Sequence, residues 1–299
     1  MNAIIKAELA LFVVVFIWGV NPPIMKLGLE HLPPILYNTV RMAFAGICAL
    51  LAVWYTGQYR PMTKQDMLEI LKLSIFGFLV FQLFFTWGVQ RTTAGNASLI
   101  LGMLPVWVAI IHKICGIEGL TRQMLVGIVL SFTGIVFIVL GSGKEMSLAS
   151  DHLIGGLLLM IAQIGYAYFM IFSKPLIARY PHYQTTSIAL LINTVIFFLI
   201  SLSDLVSTDW QALPAQGWFS AFFSGVFAIA LGNFVWMWGV TVIGSTKAAM
   251  FNNIAPVFAI IAGYILLGET FGLIQGLGAV IAFSGLYLTR TQKRIFGKQ

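Results

Sequence analysis

Long runs of apolar residues, separated by short polar segments, follow one another along the whole chain. Ten of these runs are long enough, or nearly so, to cross a bilayer as helices of about 20 residues. Lipid offers no partner to an unpaired backbone amide, so continuous helices are the expected form, and the alternation typical of barrel strands is absent. The predicted spans are 9–26, 35–55, 70–89, 94–114, 123–140, 153–173, 184–202, 216–240, 247–267 and 271–289.

Composition supports a membrane protein. Of the 299 residues, 59% are hydrophobic and 9% are charged, whereas soluble domains carry about 25% charged residues. A soluble fold could not bury so much apolar surface. The longest predicted loops have about a dozen residues, which leaves no room for a nucleotide-binding or soluble catalytic domain. The chain is therefore predicted to be an all-α membrane protein.

The second half of the chain repeats the pattern of the first half. Residues 87–134 align without a gap to residues 238–285, at an offset of 151, with thirteen identities among forty-eight positions. The identities include matched Trp-Gly, Pro, Glu and Gly residues, which chance similarity between apolar segments does not reproduce. We predict two five-helix repeats, residues 1–145 and 146–299. Because five is an odd number, the second repeat enters the membrane from the opposite side, giving inverted repeats.

Lysine and arginine residues orient the predicted spans. With the N-terminus in the cytoplasm, the inside segments carry thirteen of these residues, whereas the outside segments carry three, Lys26, Arg91 and Lys144. Positive charge concentrates in cytoplasmic loops. Both termini are therefore expected on the cytoplasmic side of the membrane.

Two adjacent prolines interrupt the first predicted span. Pro22 and Pro23 lack the amide hydrogens that would pair with the carbonyls of Trp18 and Gly19. A break is predicted at this point, next to Asn21. Two interpretations stay open: the break lines a water-filled cavity, or it kinks a packing helix in which the Asn21 amide is satisfied locally.

Two further pairs of residues are partners in the repeat. Pro105 and Pro256 each interrupt a span, and Pro105 frees the carbonyl of Leu101. Such paired kinks serve either as hinges or to shape the bundle. Glu118 and Glu269 each open the turn to the following helix and are predicted to bind backbone amides at a helix start. The candidate hinge or gating residues are Pro22, Pro23, Pro105 and Pro256.

Amide and aromatic side chains occur at the middle depth of several spans. Amides are costly to leave unpaired in hydrocarbon, so they should face inward, where they join helices or form a polar interior. Aromatic faces beside amides suit a substrate with a flat apolar part and a polar or cationic end. The candidate substrate-binding residues are Trp18, Asn21, Gln82, Gln163, Tyr166, Asn233, Trp236 and Asn252.

Charged residues are almost confined to the ends of the predicted helices. Arg41 is the exception, and three interpretations stay open. It attracts a substrate carboxylate as a charge partner, it caps helix-end carbonyls, or it lies about two turns from the outer interface and extends its charged end to that interface. All ten acidic residues lie at helix ends or in loops, which favours facilitated flow, exchange, or coupling through an edge residue such as Glu8. No Walker, metal-ligand or catalytic motif occurs, so no enzyme activity, catalytic residue, cofactor or metal site is predicted.

Several motifs occur in a joint order along the whole chain. They are Trp18-Gly19 with Asn21, the segment 41–45, the Pro105/Pro256 pair, the acidic turns at Glu118 and Glu269, and the glycines Gly127, Gly134, Gly278 and Gly285. This order resembles the drug/metabolite transporter superfamily, in its EamA-like branch. The resemblance implies a bacterial inner (plasma) membrane carrier with ten helices, two inverted EamA-type halves and a central cavity. Such carriers export amino acids, related metabolites or toxic compounds.

The expected function is secondary transport. We expect an exporter or exchanger of small metabolites, such as amino acids or related amphipathic compounds, that works by alternating access. Two alternatives are a multidrug or quaternary-cation exporter, which the aromatic residues favour and the lack of a buried acid disfavours, and a non-transporting membrane assembly protein. The expected partners are a small-molecule substrate and the lipid bilayer, with no nucleic acid and no ATPase subunit, in a monomer or homodimer.

Overall fold

The computed structural model describes residues 3–57, 59–117, 119, 121–141, 151–243, 251 and 254–290. Within these ranges all regular secondary structure is helical. Eight of the described helices are long and apolar enough to cross a membrane, and two shorter apolar helices cover Ala255–Leu267 and Leu273–Thr289. The protein is therefore an all-helical, multi-pass membrane protein.

In the first part of the chain, a π-helical segment joins two of the helices. This segment, Ser74–Leu79, continues directly into the helices on both sides, so that residues 64–91 form one span. The span begins earlier than predicted because the Thr63 side chain accepts a hydrogen bond from the amide of Asp66 and caps the helix. The helices are α1 (Ala3–Leu29), α2 (Pro34–Thr56), α3 (Lys64–Leu73), α4 (Val80–Arg91), α5 (Ala94–Leu101), α6 (Leu104–Ile114) and α7 (Arg122–Leu140).

The second part contains a second π-helical segment, Phe223–Leu231, which again joins two helices without a break. π-Helical turns are rare and occur frequently at functional sites. The helices are α8 (Asp151–Phe172), α9 (Lys174–Arg179), α10 (His182–Ile200), α11 (Leu202–Ser207), α12 (Ala215–Phe222), α13 (Gly232–Ile243), α14 (Ala255–Leu267) and α15 (Leu273–Arg290).

Element boundaries in the two parts correspond at the offset of 151 residues. Adding 151 to the residue numbers of the first π-helical segment, Ser74–Leu79, gives 225–230. These positions lie inside the second π-helical segment, Phe223–Leu231. Lys64, which begins α3, maps to position 215, where α12 begins, and Leu104, which begins α6, maps to position 255, where α14 begins. The correspondence therefore extends beyond the aligned residues 87–134 into π-helical geometry that has no obvious signature in composition.

Helices α7 and α15 pack through their glycines. A Cβ atom at Gly127 would lie 2.6 Å from the carbonyl oxygen of Gly285, and one at Gly278 would lie 2.8 Å from that of Gly134. Because a side chain does not fit at such distances, glycine lets the two backbones touch. The order of the contacts, 127 with 285 and 134 with 278, makes the two helices antiparallel.

Helix α1 does not break at Pro22 and Pro23, so this prediction was wrong. The helix continues through both prolines, although each lacks an amide hydrogen. Packing on either side explains the continuity. Gly19 lies against α14, and Gly28 lies against α12, each so closely that an added Cβ would be under 3 Å from a neighbouring atom. The neighbouring helices therefore hold α1 on a helical path that its local sequence opposes.

The span predicted at 94–114 is interrupted, as expected from Pro105. Helix α5 ends at Leu101, and α6 begins at Leu104 with Pro105 in its first turn. Pro256 occupies the corresponding place in the first turn of α14. A proline is well tolerated in the first turn, because that amide has no partner within its own helix. The carbonyl left without the Pro105 amide is that of Leu101, at the end of the preceding helix α5.

Glu269 joins three segments of the chain. Its Oε1 and Oε2 accept hydrogen bonds from the amide of Ala94, at 3.0 and 2.8 Å, and its Oε1 also accepts one from Lys26 Nζ, at 2.9 Å. Lys26 Nζ donates in addition to the carbonyl of Thr92, at 2.8 Å. The predicted binding of a backbone amide at a helix start is confirmed, but the helix is α5 rather than the helix that follows Glu269. Glu118 lies outside the described residues.

Replacing Gly278 by alanine should lower the thermal stability, because the new methyl group would lie 2.7 Å from the amide of Ile138. We expect this overpacking to cost about 1–3 kcal/mol, measured as a lower melting temperature of the purified protein in detergent.

Gly276, on the same helix, provides the matched control. The nearest atom to a Cβ at that position is a ring carbon of Phe271 at 3.9 Å, so Gly276→Ala should be neutral or stabilise the helix by up to about 1 kcal/mol. Equal destabilisation by the two substitutions would contradict the backbone contact between α7 and α15.

Candidate functional site

A cavity of about 850 Å³, including its open mouth, lies inside the helical bundle. It is lined by residues of α1, α2, α4, α5, α8 and α13 and of both π-helical segments, with contributions at the starts of α6 and α14. Its described lining consists of Trp18, Asn21, Pro22, Arg41, Phe78, Phe81, Gln82, Phe85, Ser98, Leu101, Gly102, Leu104, Gln163, Tyr166, Ala228, Ile229, Asn233 and Ala255.

Most of the candidate substrate-binding residues meet in this cavity. The six that line it are Trp18, Asn21, Gln82, Gln163, Tyr166 and Asn233. Trp236 lies outside the lining, but its ring packs on that of Trp18, with the centroids 5.0 Å apart. Asn252 lies outside the described residues.

The candidate hinge residues lie at or next to the same cavity. Pro22 lines it, and Pro23 is buried directly behind in α1. Pro105 follows the lining residue Leu104, and Pro256 follows the lining residue Ala255. Arg41, the predicted charge partner, also lines the cavity.

Sequence reasoning missed the phenylalanines of α4 and of the segment before it. Phe78, Phe81 and Phe85 stand at i−4, i−1 and i+3 relative to Gln82, so the four residues form one helical face. The rings of Phe81 and Phe85 are stacked at 5.2 Å, and Phe81 lies 4.8 Å from the ring of Tyr166. Applying the helical period to Gln82 would have found them, although phenylalanine in an apolar span gives no signal by itself.

Trp18 is fixed at the cavity wall by a hydrogen bond between distant segments. Its indole N–H donates to the carbonyl of Ala228 in the second π-helical segment, at 2.9 Å. One face of the ring packs on Trp236. The hydrogen bond and the contact between the two rings together fix the position of the indole where α1 meets the second half of the chain.

Gln163 satisfies the carbonyl that Pro105 leaves free. Its Nε2 donates at 2.7 Å to the carbonyl of Leu101, whose usual partner in a continuous helix would be the amide hydrogen that Pro105 lacks. Gln163 is only 2% exposed, and its Oε1 has no donor among the described residues. The side chain therefore closes the break in the α5–α6 span and leaves one unpaired acceptor in a residue of the cavity wall.

Asn21 provides a second unpaired acceptor. Its Nδ2 donates to the Met25 sulfur at 3.2 Å, while its Oδ1 finds no donor among the described residues. Leaving a buried acceptor unpaired costs about 1–3 kcal/mol. A ligand that brings N–H or O–H donors to Asn21 and Gln163 would recover that cost. The cavity wall thus combines aromatic rings with two residues whose buried amide oxygens have no donor among the described residues.

These features describe a membrane protein with an internal cavity suited to a small amphipathic molecule. The chain belongs to the EamA-like transporter family, whose family model matches residues 5–140 and 153–291. Members of this family are transporters, and the chain is accordingly a membrane transporter.

Relatives with similar sequences cover nearly the whole chain. The uncharacterized transporter YetK of Bacillus subtilis (strain 168) is 25% identical, over 98% of this chain and 88% of its own length. A probable terminal-alkyne amino-acid exporter of Streptantibioticus cattleyicolor is 22% identical, over 98% and 96%. A probable amino-acid metabolite efflux pump of Salmonella typhimurium is 28% identical, over 94% and 93%.

The fold is also similar to that of a solved crystal structure. The two structures superpose with a TM-score of 0.66, over 95% of this chain and 96% of the other, at 13% sequence identity. At this level of identity the likeness concerns the fold alone.

The bond between Gln163 and Leu101 can be tested by a double-mutant cycle. Gln163→Ala should cost about 1–3 kcal/mol, because the Leu101 carbonyl becomes an unpaired buried acceptor. Pro105→Ala restores an amide hydrogen that can take the place of the glutamine. Thermal unfolding in detergent should therefore show a smaller cost of Gln163→Ala in the Pro105→Ala background, with a coupling of about 0.5–3 kcal/mol. Strictly additive effects would show that the two residues do not share this carbonyl.

Proposed function

We propose that this protein is a secondary carrier that exports or exchanges small amphipathic metabolites, with amino acids as the leading candidates. In this proposal the substrate binds in the described cavity, which opens alternately to either side of a bacterial inner membrane. The observation that carries the proposal is the juxtaposition of two unpaired amide oxygens, on Asn21 and Gln163, with the rings of Trp18, Phe81 and Tyr166 around one internal volume.

The chemistry of the lining fits an amino acid. The amide oxygens of Asn21 and Gln163 accept hydrogen bonds from an ammonium group, which has three donors and no acceptor. Aromatic faces attract the same cation and also pack against an apolar side chain. The relatives named for amino-acid export and for amino-acid metabolite efflux point in the same direction.

We further propose ten membrane spans in two inverted repeats, residues 1–145 and 146–299, with both termini in the cytoplasm. The contact between α7 and α15 supports this arrangement. Gly127 and Gly134 have Gly278 and Gly285 as repeat partners, yet Gly127 lies against Gly285 and Gly134 lies against Gly278. Such a reciprocal contact is what a two-fold axis between the halves produces. Because the two helices are antiparallel, corresponding helices cross the membrane in opposite directions.

Inverted halves also provide a route to alternating access. Two similar units in opposite orientations can exchange their conformations, which opens the site first to one face and then to the other. The interruption between α5 and α6 adjoins the cavity, and Pro256 stands at the position that corresponds to Pro105, next to the lining residue Ala255. In the proposed cycle the backbone at these two prolines absorbs the change in helix direction.

The cavity lining favours facilitated flow or exchange over proton coupling. Within the described lining the ionisable side chains are Arg41 and Tyr166, without a carboxylate or histidine. Proton-driven carriers usually place such a group on the pathway. A quaternary-cation exporter is the second candidate, because the rings of Trp18, Phe81 and Tyr166 favour a cation.

Counterflow in proteoliposomes tests the proposal. Vesicles that contain the purified protein and an excess of one unlabelled L-amino acid should accumulate the same amino acid in radiolabelled form, at rates well above those of protein-free vesicles. The panel should contain the standard amino acids and, as quaternary cations, tetraethylammonium and tetraphenylphosphonium. Failure of a folded, monodisperse preparation to move any of these compounds would refute the proposed function.

Two tyrosines of α8 provide a matched pair of variants. Tyr166 lines the cavity, whereas Tyr168 packs on Phe172, with ring centroids 4.8 Å apart. We expect Tyr166→Leu to lower the counterflow rate by at least about tenfold, because a wall of the cavity changes, and Tyr168→Leu to keep the rate within about twofold. Equal loss in both variants would place the transport pathway elsewhere.

A further inference from the structure

Arg41 is a fully buried cation, with 0% of its surface exposed. Each of its five N–H donors has an acceptor, and every acceptor is neutral. The acceptors are Asn38 Oδ1 at 2.7 Å, Gln82 Oε1 at 2.5 Å, Ser224 Oγ and Thr86 Oγ1, each at 3.1 Å, and Met25 Sδ at 3.2 Å. The guanidinium group also lies over the rings of Tyr37 and Phe85, at 5.7 and 5.6 Å from their centroids.

Every N–H donor of Arg41 has a hydrogen-bond acceptor, but the guanidinium group has no negatively charged partner among the described residues. In the described part of the chain the lysine and arginine residues that pair with carboxylates are Lys26, Arg91 and Arg179, and Arg41 is not among them. A buried cation without a counter-ion is unfavourable, and its low-dielectric surroundings strengthen its attraction for any anion that arrives. Because Arg41 lines the cavity, an anionic group that enters the cavity meets this field.

The weakest of the five acceptors marks the position at which an anion would bind. A thioether sulfur is a poor acceptor, yet Met25 Sδ takes hydrogen bonds from Arg41 Nη1 and from Asn21 Nδ2, both at 3.2 Å. Two N–H donors, from different helices and both belonging to cavity-lining residues, therefore converge on one atom. A carboxylate oxygen in that place would receive two short hydrogen bonds, one of them charge-assisted. Methionine is flexible enough to withdraw.

We infer that Arg41 and Asn21 form a carboxylate-binding subsite, which the Met25 thioether occupies while the cavity is empty. The inference rests on the proposed transport function and narrows its substrates to molecules that carry a carboxylate. An amino acid then binds through its carboxylate at Arg41 and Asn21 and through its ammonium group at the free oxygen of Gln163. The positive field of Arg41 opposes purely cationic substrates, including the quaternary ammonium compounds that the aromatic residues alone would admit.

Ligand pairs that differ only at the carboxylate test the inference on the unchanged protein. The standard L-amino acids should be compared with their carboxamides and with tetraethylammonium, by thermal shift and by competition in counterflow. We expect the carboxylates to bind at least about tenfold more tightly than their carboxamides. If the carboxamides or the quaternary cation bind as tightly as the carboxylates, or more tightly, the inferred carboxylate subsite is wrong, while the proposed carrier function is not contradicted. No binding and no flux for any compound overturns both.

Substitutions at Asn21 separate a charge effect from a packing effect. Asn21→Asp places a tethered carboxylate next to Arg41, so it should raise the melting temperature and abolish competition by amino acids. Asn21→Ala should weaken the binding of the same amino acids only several-fold, because one of the two hydrogen-bond donors to the carboxylate is lost. If Asn21→Asp and Asn21→Ala reduce amino-acid binding to the same extent, the subsite does not act through charge.

Met25→Leu is the variant that distinguishes an occupied subsite from a structural contact. It conserves volume and removes the sulfur acceptor, leaving donors on Arg41 and Asn21 without a partner. A carboxylate then competes with no hydrogen-bond acceptor for these donors, so the KM for amino acids should fall several-fold, with no change for carboxamides. An unchanged or raised KM for amino acids, in a variant that still moves them, contradicts the proposed role of Met25.

Discussion

The bundle is organised around one fully buried positive charge, Arg41. Arg41 is held by side chains of α1, α2 and α4 and of the second π-helical segment. Hydrocarbon supplies no replacement for any of these partners, and leaving a buried hydrogen-bond donor unsatisfied costs about 1–3 kcal/mol, and more when the group is charged. Four segments from both halves of the chain are therefore fixed relative to one another at this point. Because Arg41 also lines the cavity, this fixed point forms one of the cavity walls.

The remaining walls are less regular. The α5–α6 span is interrupted before Pro105, and the carbonyl left free is held by a side chain of α8 instead of by the helix itself. At the start of α14, Pro256 stands in the corresponding first-turn position. A backbone held by side-chain bonds can change direction without unwinding a helix, whereas the Arg41 side chain cannot move without leaving N–H donors unpaired. The proposed cycle thus combines a rigid wall at Arg41 with the interrupted α5–α6 span and the start of α14.

Much of this could be predicted from the sequence, because lipid permits few alternatives. Helical spans, the repeat, the free carbonyl of Leu101 and six cavity residues follow from apolar run length, proline chemistry and the cost of buried amides. The partner of that carbonyl, Gln163, lies 62 residues away, and no local pattern connects the two. Continuity of α1 through Pro22 and Pro23 was missed because packing against α12 and α14 outweighs local geometry. The π-helical segments were missed because their composition is that of any apolar helix.

The central claim is that a water-filled binding cavity lies at mid-depth in this bundle, and cysteine labelling tests it most directly. With Cys48 and Cys115 replaced by alanine, a single cysteine would be introduced at Ser98, which lines the cavity, or at Val129, which is 64% exposed on the outer face of α7. The account predicts that a water-soluble methanethiosulfonate labels Ser98→Cys in proteoliposomes, that amino-acid substrates slow this reaction, and that Val129→Cys is not labelled. Labelling of Ser98→Cys no faster than that of Val129→Cys would contradict it.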